Sequence, residues 1–474
     1  MKREAAPGGK WTQTRILIAL AVVTAAIGLA ALKIDGVFIV AGLVAAAIGS
    51  VLISYPFATV PIYFALIYLR PGDMYPQLEK LRLVLLVVAL MAGAFVLRTL
   101  VYRTWKLQKN VQLIFIAGLL AAIGLSIIDA FYRTAALEKF SDVSRYLVMV
   151  FLVVHIVDSL KKYKVMMWSI LISLTILALW NFVLWASGQK VIDNGGSGGM
   201  AGGFLGDGND FALALNVMLP IPVFQFMATR HRWTRVACAV VIVSFVLSII
   251  ATYSRGGLLG MIAVFAFAFW FYLLRSRNWA LGIAMIVVLA TVGTGSIILF
   301  APDNFKERMA GMHDYEKDES ALGRLDAWGA GMRMFADRPV LGVGAGCFPD
   351  AYGRKYKPMD AVAANWREAH SLYVQTFAEL GSLGAFFLFG LCAVVSVHLR
   401  RIHQYGLPDA QTQKEVHYYA DAVTTGLIGF LVSGAFLSVA YYPHLYIMSA
   451  ETMILMRIAE EESRKSPDLV PDAR

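Results

Sequence analysis

Three cationic side chains stand where an arginine or a histidine can act on an anion or a hydroxyl. Arg255 lies in Tyr253-Ser254-Arg255-Gly256-Gly257 at the edge of an apolar run, Arg324 lies in Gly323-Arg324-Leu325-Asp326, and His370 opens another apolar run in Glu368-Ala369-His370-Ser371. A guanidinium is planar and always charged, and its fork of N–H donors matches phosphate oxygens. An imidazole can take a proton from a hydroxyl near neutral pH, as a general base must. Plainer readings stand beside these: Arg255 as an arginine snorkelling to an interface, His370 as a capping or solvated histidine. Arg338, Arg354, Lys355, Lys357 and Arg367 are further cations that could hold an anionic donor or acceptor. Arg338-Pro339 also reads as a helix stop, and the run from 354 to 357 as a solvated face. Asn209 and Asp210 open an apolar run after a glycine-rich stretch, where they could cap it or touch a headgroup. Glu379 and Glu451 sit inside apolar runs, as functional carboxylates or as partners of Arg or Tyr between helices. Asp158 reads as interfacial.

The elements that must carry these residues are set by composition. Of 474 residues, 16% are charged and 58% hydrophobic, with a mean hydropathy of +0.64. A soluble domain carries about 25% charged residues, so a soluble enzyme with one anchor is excluded. The sequence has no Walker A loop, dinucleotide fingerprint or His-Glu-x-x-His helix. Its three cysteines, Cys238 and Cys392 in apolar runs and Cys347 in a polar loop, give neither a disulfide framework nor a cysteine metal site.

Uninterrupted apolar runs predict an all-α polytopic membrane protein of 12 to 14 transmembrane helices. The runs fall near 15–32, 37–54, 56–70, 82–97, 111–128, 145–160 and 165–187, then 209–228, 236–253, 256–274, 279–300, 371–399, 421–441 and 443–459. The first reads as a retained span, since it ends in Leu32-Lys33 and not in a small-residue cleavage site. With the N-terminus inside, short inner segments hold 23 Lys and Arg and short outer ones 9, which puts both termini in the cytoplasm. The net charge of +10 is therefore an orientation signal and does not mark a nucleic-acid surface.

One long segment, 301–369, then faces outward with 10 basic and 11 acidic residues. Within it, Leu322, Leu325, Trp328, Met332 and Phe335 recur at helical spacing, which predicts an amphipathic helix over Ala321 to Asp337 lying along the membrane. Ser320 is its expected N-cap and Pro339 its stop. The run 371–399 is about 43 Å long as one helix, so its first turns should protrude and hold His370 over the interface. The chain divides into helices of 1–200, helices of 201–300 with Arg255, the outer loop 301–370, helices of 371–460 and a tail of 461–474.

Four pieces in order, GDGNDFALAL (206 to 215), YSRGG (253 to 257), GRLDAW with DRPVLGVGAGCF (323 to 348) and HSLYVQTFAELG (370 to 381), resemble the O-antigen ligase and polymerase superfamily. The resemblance covers about residues 200 to 400. It implies a fold similar to C-type glycosyltransferases and a metal-independent, inverting transfer of a glycan from undecaprenyl diphosphate to an acceptor hydroxyl. The acceptor would be a lipid A core, a protein or the next lipid-linked repeat unit, and the reaction would face the periplasm from a bacterial inner membrane, without a cofactor. By position, Arg255 and Arg324 look like the arginines that hold the diphosphate, and His370 like the histidine that activates the acceptor. Arg338, Asn209, Arg367, Lys355 and Lys357 would help to bind substrate. Polymerase activity is the alternative within the class, and transport of a lipid-linked sugar the alternative outside it. Transport would favour ionisable residues near mid-bilayer and a repeat between halves, whereas the basic candidates cluster at one face and no repeat is visible.

Overall fold

The structure is a computed structural model that describes residues 49–103, 107–187, 205–276, 319–357 and 366–465. The expected spans at 15–32 and 279–300, most of 37–54 and the glycine-rich stretch before residue 205 lie outside these residues. Among the described residues every regular element is helical. Thirteen helices matter for the site: α1 (Thr59–Leu69), α2 (Leu83–Val96), α3 (Val111–Ser126), α4 (Arg133–Ile156), α5 (Leu160–Ala186), α6 (Gly208–Met218), α7 (Pro220–Ala228), α8 (Arg232–Ala251), α9 (Arg255–Ser276), α10 (Glu319–Asp337), α11 (Leu372–Ile402), α12 (Ala410–Gly434) and α13 (Pro443–Ser463).

Five helical segments among the described residues are long and apolar enough to cross a membrane: Gln77–Val101, Leu160–Ala186, Gly208–Ala228, Arg232–Ala251 and Leu372–Ile402. Three shorter apolar helices, Pro56–Leu69, Val111–Ser126 and Arg255–Trp270, accompany them. The protein is an all-α polytopic membrane protein. Two expected spans have other bounds. The run 145–160 belongs to α4, which starts earlier at Arg133, and 421–441 belongs to α12, which runs from Ala410 to Gly434. In both, a polar amphipathic stretch extends the helix on one side where hydropathy alone shows nothing.

The core is built around α11, α12 and α13. α12 packs on α6, α7, α9, α11 and α13, while α11 packs on α3, α10, α12 and α13. α13 is buried almost all round, the property of a helix at a bundle centre. Small residues allow the closest approaches: a Cβ on Gly260 would overlap Ser433, and one on Gly426 would lie 2.6 Å from the Val217 carbonyl oxygen. Outward-facing apolar side chains on α2, α3, α5, α8 and α9, such as Leu85, Ile114, Ile176, Val240 and Ile262, make a girdle suited to lipid.

Several polar groups inside the bundle are paired. The Asn216 amide donates to the Gly257 carbonyl at 2.7 Å, and Gln112 joins His398 at 2.8 Å and Ser449 at 2.6 Å. Such bonds are needed because an unsatisfied polar group in hydrocarbon is costly. Asp158 meets Lys162 at 2.6 Å on an exposed face, as its interfacial reading expects.

Candidate active site

α10 seats the first candidate cation. It begins at Glu319, so Ser320 lies inside the helix and is not its N-cap. The face turned to the bundle carries Gly323, Ala327, Ala330, Gly331 and Met334, and a Cβ on Gly331 would overlap Val374 of α11. The expected large-residue stripe divides. Trp328 Nε1 donates to the Ala369 carbonyl at 3.0 Å and Phe335 meets Phe377 edge-on at 5.3 Å, whereas Leu325 and Met332 are 51% and 62% exposed. Small residues win the inner face because they let the two backbones close up, which leaves larger ones turned outward.

The chain from Pro339 to Gly346 then latches onto α11. Gly381 is non-helical inside α11 (φ 62°, ψ −161°), so the expected continuous run is broken there into two helices. The break frees backbone groups that the loop takes up. Val343 N–H donates to Ala378 O at 2.9 Å and Gly344 N–H to Glu379 O at 3.0 Å, while Ser382 N–H donates back to Pro339 O at 2.8 Å and Leu383 N–H to Val340 O at 3.2 Å. Gly342 also has positive φ (67°), and a side chain there would strike the Glu379 backbone.

Glu379 is fully buried and closes the latch. Its carboxylate accepts from Gly346 N–H and Phe348 N–H, both at 3.0 Å, and from the Tyr441 hydroxyl at 2.8 Å. Gln375, one turn earlier, donates to it at 3.4 Å and accepts from Ala440 N–H at 3.1 Å. Of the two roles open to Glu379, the tyrosine-partnered structural one is what these contacts describe. Cys347 is buried against the Tyr132 backbone despite its polar neighbourhood in sequence.

His370 sits just ahead of α11 with φ 46°, a left-handed conformation unusual for a non-glycine residue. Its N–H donates to Ser438 Oγ at 2.9 Å. Burial depresses the imidazole pKa to about 4, helped by the charges of Arg324 and Arg367 and opposed by Asp207. The histidine is thus neutral at physiological pH. Arg367 packs against Gly323, where a Cβ would collide with its guanidinium, so Arg324, Arg367 and His370 form one group. Glu368, two residues before His370, has its carboxyl raised by burial and is opposed in this by Lys139 and Ser438, while Asp207 at the start of α6 acts on the imidazole.

At that start, Asp207 is the N-cap and accepts from Asn209 N–H at 2.7 Å, while the Asn209 side-chain amide donates to the same oxygen at 2.9 Å. The cap is therefore neither Asn209 nor Asp210. Asp210 accepts from the Tyr442 hydroxyl.

Arg255 opens α9 with an exposed side chain, behind Ser254, whose Oγ caps Gly257 N–H at 2.9 Å. Gly256 packs on Phe436, which leads to Ser438, so Arg255 and His370 share one end of the bundle. Arg338 donates to the Asp129 carbonyl at 2.5 Å and pairs with its carboxylate at 3.3 Å. Lys355 pairs with Asp337 at 2.8 Å, which holds that exposed carboxyl below its usual range. Lys357 follows the same turn, half-buried. Arg338 and Lys355 are thus engaged in ion pairs with carboxylates of the protein.

Residues 213–389 match the family model described as O-Antigen ligase. Over that segment the chain is similar to the O-antigen ligase superfamily. No curated protein matches the chain. The matched segment spans Arg255, Arg324, Arg338 and His370, together with the latch and Glu379. Lys139, Ser438, Tyr441 and Tyr442 lie outside it and were not singled out in the sequence. Lys139 is a lysine on a polar helix face, and the Tyr441-Tyr442 pair before Pro443 resembles an ordinary interfacial aromatic pair. Among the described residues no cluster of three His, Cys, Asp or Glu is placed to hold a metal ion.

Proposed function

We propose that the protein transfers a glycan from undecaprenyl diphosphate to an acceptor hydroxyl at the periplasmic face, with inversion and without a metal. The observation that carries the reading is the grouping of Arg324 and Arg367 around a neutral His370, within a chain that matches the family model over residues 213–389. In this mechanism the acceptor oxygen attacks the anomeric carbon as the bond to the diphosphate breaks on the opposite side. The acceptor proton passes to the His370 imidazole, and the leaving diphosphate takes the electron pair. Arg324 and Arg255 stabilise that developing charge. Arg367, and Asn209 at the α6 start, position donor or acceptor.

The low pKa of His370 suits this order of events. Burial, together with two guanidinium charges, keeps the imidazole weakly basic. A bound diphosphate offsets those charges and raises its basicity, so the base is strengthened when the donor is in place.

The test is purified protein with undecaprenyl-diphosphate glycan in EDTA, with and without a lipid A core acceptor. Release of undecaprenyl diphosphate with glycosylated core is the expected ligase result. Chains that lengthen on the lipid without added acceptor would instead assign polymerase chemistry to the same residues. Binding of the lipid with neither product would overturn the proposal in favour of transport.

A further inference from the structure

At the end of the bundle opposite His370, a cavity of about 500 Å³ opens where α5, α8 and α12 begin and α7 ends. The positive-inside count assigns this end to the cytoplasm. Three cations line the cavity, Lys164, Arg230 and Lys414. One carboxylate, Glu415, also lines it and is ion-paired with Lys164, so Arg230 and Lys414 supply the net positive charge. Thr229 and Thr234 add hydroxyls. The starts of three helices bring the positive ends of their dipoles to the same place. The first N–H groups of α8 and α12 are already capped, by His231 and by Asp409, so these two helices contribute field and not free donors, whereas Ser159 places no side-chain cap on α5.

Two further features narrow the ligand. The floor is apolar and aromatic, with Ile221, Phe224 and Tyr418, and suits acyl carbons. Gln225 Oε1 is buried without a hydrogen-bond partner, an acceptor that calls for a hydroxyl or ammonium donor. The geometry points to a binding site for an anionic phospholipid headgroup, with the phosphate on Arg230 and Lys414, a glycerol hydroxyl on Gln225 and the chain tops over Phe224. Basic pockets between helices on the cytoplasmic side are suited to such headgroups. The inference does not depend on the transferase reading, because no residue of the His370 group takes part.

The chemistry shared by a lipid and a free ion is the phosphate, so the experiment separates the two. The full-length protein in detergent is titrated with dioleoyl phosphatidylglycerol, dioleoyl phosphatidylcholine or dioleoyl phosphatidic acid and read by native mass spectrometry. Phosphatidylglycerol should be retained over phosphatidylcholine. Arg230→Gln with Lys414→Gln should weaken its retention by roughly 25-fold, about 5-fold for each cation. Gln225→Leu should reduce the preference for phosphatidylglycerol over phosphatidic acid, which lacks the glycerol hydroxyl. Arg400→Gln with Arg401→Gln, on the same end outside the cavity, should change nothing and controls for general surface charge. Each variant is first checked for monodisperse elution and an unchanged melting midpoint. Equal retention of phosphatidylcholine, unchanged retention in the Arg230 and Lys414 variant, or an equal loss in the control would overturn the site. Displacement of phosphatidylglycerol by millimolar inorganic phosphate would overturn the lipid assignment.

Discussion

At the scale of single residues, the proposed chemistry rests on His370 and its two arginines. His370→Ala should lower transfer by about 100- to 10,000-fold, the usual contribution of a general base, with elution and melting unchanged. Normal turnover would remove the base assignment. Arg367→Gln makes a sharper test, because its guanidinium depresses the histidine. Without that charge the pKa of His370 rises. The reactive form is the neutral imidazole, so the acid limb of kcat/KM should move to higher pH, and an unmoved limb would separate Arg367 from the base. His370 could be singled out in sequence because it opens an apolar run, and Arg324 because it stands beside the apolar stripe of an amphipathic helix. Arg367 could be ranked only among several basic residues, since its contact with Gly323 joins positions far apart in the chain. Glu379 was visible as a buried carboxylate, but its tyrosine partner was not. Glu379→Gln should cost about 1–3 kcal/mol, because an amide has one acceptor oxygen for the donors that now converge on two. A thermal melt against wild type would read the loss.

At the scale of elements, the question is what sets the distance between Arg324 and His370. They ride on α10 and on the start of α11, whose packing is governed by Gly331 against Val374. Gly331→Leu should push the helices apart and lower kcat more than it raises KM, while membrane insertion is retained. Unchanged kinetics would mean that α10 does not position the site. Apolar runs and the 3.6-residue period made both helices legible. They could not reveal the break at Gly381, since a glycine inside an apolar run looks the same whether the helix continues or ends. Only the loop that bonds to the freed backbone decides it. The inner face of α10 was misjudged for a related reason: hydrophobicity ranks Leu325 and Met332 above Ala and Gly, but close helix packing rewards small size.

At the scale of the whole molecule, the charge count predicts an orientation that a labelling experiment can check. The three native cysteines are buried, so they interfere little with a cysteine introduced at an exposed site. Lys355→Cys should react with a membrane-impermeant maleimide from the periplasmic side, and Gln411→Cys only after the membrane is opened. The reverse pattern would invert the topology and move His370 to the cytoplasm. The connection between α12 and α13 carries a different consequence. It supplies Ser438 to the backbone of His370, Tyr441 to Glu379 and Tyr442 to Asp210, while α4 supplies Lys139, and all four residues lie beyond 213–389. The family segment is therefore not a cassette. Grafted into another polytopic scaffold it would arrive without Ser438 for His370 and Tyr441 for Glu379, so functional chimeras of this protein must exchange the C-terminal helix pair along with it.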